Sequence, residues 1–145
     1  MKWHDAIAVL GLLAVVGLAP ARAGAADLIE VQVLVCHAAA AGGGVDGACR
    51  ELHDKIGAQF RYESLKKLQR HSLKLGLNEV GNVKLPNGKN LMVRPLQVDD
   101  RGALLAVDVE GAVRTDVKVG NGNLVVIGAD AYRGGKLVIS LEPRW

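Results

Sequence analysis

Apolar and polar residues alternate from Leu28 to Val33 in Leu-Ile-Glu-Val-Gln-Val, the period of a strand with one buried face. The run stops at Cys36-His37. Ala38 to Gly47 follows, a stretch of small residues that offers little side chain to pack and reads as a flexible loop. Asp46 then stands where it can cap a short helix, in which Cys49, Leu52, His53 and Ile56 recur at spacings of three and four and share one face. Gly57 ends that helix.

Residues 60–77 support two periods. Phe60 and Tyr62 alternate like a strand, whereas Leu65, Leu68, Ser72 and Leu75 lie on one helical stripe and Lys66, Arg70 and Lys74 on another. The pattern predicts a strand from Phe60 with a helical or extended stretch after it. From Val80 onward, short Val- and Leu-rich runs are punctuated by turn residues. Asn87-Gly88, between Val83-Lys84-Leu85 and Leu91-Met92-Val93, is the strongest hairpin signal, because both residues tolerate positive φ; Pro86 fits a strand end. Asp99 to Gly102, Gly111, Gly120-Asn121-Gly122 and Arg133-Gly134-Gly135 separate further runs at 96–98, 104–109, 113–119, 124–127 and 137–141. Roughly seven to nine short strands predict a mainly β fold. It reads as a single small antiparallel sandwich or partly open barrel, with one short helix after the first strand.

The amino terminus changes the setting of this domain. Lys2, the apolar run Ala6 to Ala19 and the small residues Ala21-Arg22-Ala23 have the layout of a secretory signal peptide. The run is shorter than the roughly 20 residues that span a bilayer. Residues 1–23 are therefore expected to be removed, with cleavage as late as 26, leaving residues 24–145 as one mainly β domain. The mature chain is expected to be exported, periplasmic or extracellular, without a permanent membrane span. Loss of Lys2, Arg22 and Asp5 leaves 16 basic against 14 acidic residues, a net charge of +2, which carries no nucleic-acid signature. Only Phe60, Tyr62, Tyr132 and Trp145 then remain as aromatics, too few for barrel girdles or stacking platforms.

In an oxidising compartment, Cys36 and Cys49, the only cysteines, are read first as a disulfide. Closing a loop of this size stabilises by about 3 kcal/mol in the chain-entropy model. An alternative adds His37 and His53 to make a set of Cys36, His37, Cys49 and His53 for copper or zinc. An exported sandwich of this size resembles cupredoxins, but those cluster Cys, His and usually Met on one late loop, and here both cysteines are early. Gly42, Gly44 and Gly47 satisfy G-x-G-x-x-G without the βαβ context that would give it meaning. Ser64, Ser72, Ser140 and Thr115 lack a nucleophile elbow, and His71 next to Ser72 is adjacency without a relay. The chain reads as a non-enzyme with no cofactor.

Arg61, Lys66, Lys67, Arg70, His71 and Lys74 form the densest basic cluster, opposed locally only by Glu63. Lys66, Lys67, Arg70 and Lys74 are the expected contacts for an acidic partner, although such a run is also what a solvated face looks like. Thr115 to Gly128, with its T-x-V-x-V-x-x-G-x-x-V-V-I-G pattern, resembles a strand-turn-strand piece near the end of the bacterial secretin domain. The likeness covers 14 residues and implies a small protein of the bacterial envelope. These readings converge on a non-catalytic interaction or structural component of the bacterial cell envelope, acting on another envelope protein through the basic segment or an exposed sheet edge. The alternative is a periplasmic copper- or zinc-binding protein.

Overall fold

A computed structural model describes residues 28–57 and 61–145. The leader expected over residues 1–23 and the strand start expected at Phe60 lie outside the described residues. Strand β1 (Ile29–Ala39) carries the expected alternation through Ile29, Val31, Val33 and Val35, all buried on one face. Its other face starts polar at Glu30 and Gln32 and then turns apolar at Leu34, Cys36 and Ala38, which are also buried. Cover from both sides keeps β1 extended through Ala38 and Ala39, where a loop is expected. Burial of a small side chain there still demands a paired backbone, and the ladder supplies it.

Next come a two-residue strand β2 (Gly44–Val45), a 3-10 turn (Gly47–Cys49) and helix α1 (Arg50–Ile56). The Ala/Gly stretch is thus not all loop, because β2 pairs parallel with Ser64 and Leu65. Asp46 stands in the expected place but does not cap with its side chain. Its backbone carbonyl accepts from the Cys49 N–H at 2.9 Å, and its carboxylate accepts from the Lys67 N–H at 2.9 Å instead. Cys49, Leu52 and Ile56 share the buried side of the turn and helix, as their spacing predicts.

Strand β3 (Ser64–Leu75) overturns the helical option for this stretch. It runs antiparallel to β1 from Ile29 opposite Leu75 to Ala39 opposite Ser64. A bulge in β3 skips Leu68, which is left 41% exposed, so the helical spacing of the leucines is coincidental. The tertiary pairing wins because a helix here would strand the buried backbone edge of β1.

The remaining strands are β4 (Gly81–Lys84), β5 (Asn90–Asp99), β6 (Gly102–Val109), β7 (Val113–Val119), β8 (Val125–Tyr132) and β9 (Gly135–Arg144). They complete a curled five-stranded sheet of order β2-β3-β1-β9-β8 and a four-stranded sheet of order β4-β5-β6-β7 packed against it. The fold of the described residues is mainly β with one short helix after the first strand, as expected. Pro95 sits inside β5, yet β4 ends opposite Val93, so no neighbour there needs its missing N–H.

Turn chemistry follows the glycines, with one adjustment. In the β4–β5 hairpin only Gly88 is left-handed (φ +85°), while Leu85 donates to Lys89 and Gly88 donates back to Leu85 around Pro86-Asn87. Asn87 therefore takes an ordinary turn conformation. The β8–β9 hairpin is the two-residue loop with both φ positive, Arg133 at +45° and Gly134 at +78°.

Two apolar clusters result. The larger lies between the sheets and joins Val31, Val33 and Val35 to Leu91, Val93, Leu105, Val107, Leu137, Ile139 and Leu141. The smaller lies on the outer side of the five-stranded sheet, where Leu34, Cys36, Ala38, Leu65, Leu124 and Val138 meet Cys49, Leu52 and Ile56. Strands β1 and β9 belong to both.

Candidate functional site

Helix α1 covers only part of the outer face of the five-stranded sheet, and the uncovered part forms a polar groove of about 430 Å³. Strand parity builds it. Residues directly opposite in an antiparallel pair point to one side, so Glu30 beside Arg144, Gln32 beside Glu142 and Leu34 beside Ser140 line a common surface. Arg70 of β3 enters opposite Leu34, and Ala48 and Glu51 close the helical side.

Electrostatically the groove is mixed, with the carboxylates of Glu30, Glu51 and Glu142 set among the guanidiniums of Arg70 and Arg144. Glu30 accepts from the Ser72 hydroxyl at 2.6 Å and from the Gln32 amide at 2.9 Å. Those bonds, Ser72 foremost, hold its carboxyl below the usual carboxylate range against a smaller desolvation effect, helped by the charges of Lys74 and Arg144. Glu142 receives two bonds from Arg144, which pushes the guanidinium up. Arg70 has no ion-pair partner among the described residues. Buried Ser140 donates to the Leu34 carbonyl at 3.4 Å, and no histidine lines the groove. Such a surface offers charged and hydrogen-bonding groups and little apolar contact.

Strand alternation divides the expected basic cluster, and the β3 bulge at Leu68 sets its phase. Lys67 stands opposite Cys36, Arg70 opposite Leu34 and Lys74 opposite Glu30, all on the groove side. Lys66 stands opposite His37 on the other side, where it donates to the Gly43 carbonyl at 2.8 Å and lies 3.7 Å from Asp46. Three of the four expected residues therefore share a face. His71, opposite Val33, points away from Ser72, opposite Gln32, so the adjacent pair makes no relay.

Cys36 and Cys49 form a disulfide, both sulfurs buried in the smaller core, tying β1 to the turn before α1. The four-residue metal set does not assemble around them. His37 lies on the opposite face of β1, its Nε2 2.8 Å from the Tyr132 carbonyl oxygen and its ring edge-on to Tyr132. His53 meets the Tyr62 hydroxyl through Nδ1 at 2.5 Å. Burial, with the charge of Asp54, pushes the Tyr62 hydroxyl up. Gly44 of the glycine pattern belongs to β2 and Gly47 to the 3-10 turn.

Nothing local in the sequence singles out Glu30, Gln32, Glu51, Glu142 and Arg144, and Ser140 stands out there only as a hydroxyl without a nucleophile elbow. Polar positions interrupting otherwise apolar β1 and β9 were the available signal, but their meeting depends on a register between strands more than a hundred residues apart. Thr115 to Gly128 does form strand, turn and strand, with β7 in one sheet and β8 in the other. No protein-family model, curated protein or solved structure matches this chain.

Proposed function

We propose that this chain is a non-catalytic interaction component of the bacterial cell envelope, which meets an acidic surface of another envelope protein with the β3 face beside α1. The observation that carries the reading is the row of Lys67, Arg70 and Lys74 on one side of β3, with Arg70 lining the groove and having no ion-pair partner among the described residues. A charged row on an extended strand holds its side chains at a fixed spacing, which favours complementary docking over diffuse attraction. The buried disulfide suits an oxidising, exported setting, and no helix of the described residues is long and apolar enough to cross a membrane. The likeness of Thr115 to Gly128 to a secretin segment fits the same compartment.

Capture from envelope extract tests it, comparing the parent chain with a Lys67→Glu, Arg70→Glu, Lys74→Glu variant of unchanged circular dichroism. The parent retains a salt-sensitive partner that the variant loses. Identical capture by both makes the basic row a solvated face only.

A further inference from the structure

Strand β7 is one edge of the four-stranded sheet: among the described residues it pairs with β6 and with nothing beyond. The backbone groups it turns away from β6 have no backbone partner among the described residues. Natural edges are guarded against mutual pairing by charged side chains, prolines or bulges. β7 has no proline and no bulge, and its charges alternate in sign along the outer face as Arg114, Asp116 and Lys118. Its inner row is poorly covered, with Val113 and Val117 half-buried and Thr115 exposed although it lies on the core side opposite Val107. An edge with exposed β-branched residues on its inner side and mixed charge on its outer side is built to receive another strand.

We infer that the receiving partner is a second copy of this chain, added antiparallel along β7 so that two four-stranded sheets become one of eight strands. Charge and strand length together decide the register. A two-fold axis at Asp116 sets Arg114 against Lys118 of the second copy and is repelled. An axis at Val117 sets Asp116 against Lys118 but runs Val113 past the end of the opposing strand, beside Asn121. An axis at Thr115 sets Arg114 against Asp116 twice, Val113 against Val117 twice, and Thr115 against its own copy. Only that register satisfies both faces, since opposite charges and β-branched pairs directly across an antiparallel ladder are mutually stabilising. The side chains are positioned for it: Arg114 is 85% exposed even while it bonds Asp108 at 3.0 Å, and Asp116 is exposed with no ion-pair partner among the described residues.

Sedimentation equilibrium of the disulfide-intact protein over the micromolar range tests the inference. The parent chain is expected to dimerise reversibly, and Asp116→Lys to weaken the dimer by at least about tenfold, because two attractive pairs become repulsive. The double variant Arg114→Asp, Asp116→Arg is expected to restore dimerisation, since the exchanged charges face one another again in the Thr115 register. A parent chain that stays monomeric, a dimer indifferent to Asp116→Lys, or a double variant that remains monomeric each overturns the proposal. Unchanged circular dichroism in both variants, which alter exposed side chains, excludes misfolding as the cause.

Discussion

At Gly135 an added Cβ would collide with the carbonyl oxygen of Ala38 and crowd the His37 ring, because β1 and β9 approach there without room for a side chain. Gly135→Ala is expected to destabilise by about 1–3 kcal/mol, the usual cost of overpacking, read as a lower urea midpoint with unchanged slope. Two residues earlier, Arg133 holds a left-handed φ that costs an L residue on the order of 1 kcal/mol, while its guanidinium 5.2 Å from the Tyr132 ring centroid offsets a similar amount. The balance explains why the turn tolerates arginine. Glu30 and Asp99 respond to acid. Hydrogen bonds, chiefly from the Ser72 hydroxyl to Glu30 and from the Arg101 N–H to Asp99, hold both carboxyls below their ordinary values in the folded chain. A depressed folded value means stability that is present above the unfolded value and lost as pH falls through the folded one. Stability should therefore be flat near neutrality and decline below the usual carboxylate range. Ser72→Ala should shrink the part of that decline due to Glu30, as measured by urea titrations at several acidic pH values.

Among the elements, α1 depends most on its attachments. At seven residues it is too short to persist alone, and it is held by Leu52 and Ile56 against the sheet and by the disulfide at its start. Titration of the native protein with a thiol reagent is expected to find no reactive thiol, and two after reduction under denaturing conditions. Two titratable thiols in the untreated protein would remove the bridge. Reduction of the folded protein should cost about 3 kcal/mol in the loop-entropy account and loosen α1 first. Much of this element was legible in the sequence, because the spacing of Cys49, Leu52 and Ile56 is local. β3 was not legible, since Leu65, Leu68 and Leu75 satisfy a helical period, and only pairing with β1 decides against it. The basic row suffered the same way: without a bulge Lys66 would share a face with Arg70 and Lys74, the extra residue Leu68 puts Lys67 there instead, and no local signal announces a bulge. The groove was hidden for a different reason, since its residues come from β1 and β9, whose register is set by the whole sheet.

At the scale of the whole molecule, the five-stranded sheet is a shared wall. Val33 and Leu141 face the core between the sheets, while Leu34 and Val138, on the same two strands, face α1. A strand cannot leave one core without leaving the other. The two clusters should therefore unfold together although α1 and the four-stranded sheet lie on opposite sides of the wall. Leu52→Ala, in the smaller core, and Leu105→Ala, in the larger, both truncate fully buried side chains and should each cost about 2–5 kcal/mol. If the wall couples the cores, each variant, made in a mature chain that also carries Tyr132→Phe and Trp145→Phe, lowers a single transition in which strand circular dichroism and the fluorescence of Tyr62, packed beside α1, change at one urea concentration. A Tyr62 transition that separates from the circular dichroism in the Leu52→Ala protein would show α1 detaching from an intact sandwich. The parent chain, with its bridge closed, is expected to show coincident curves.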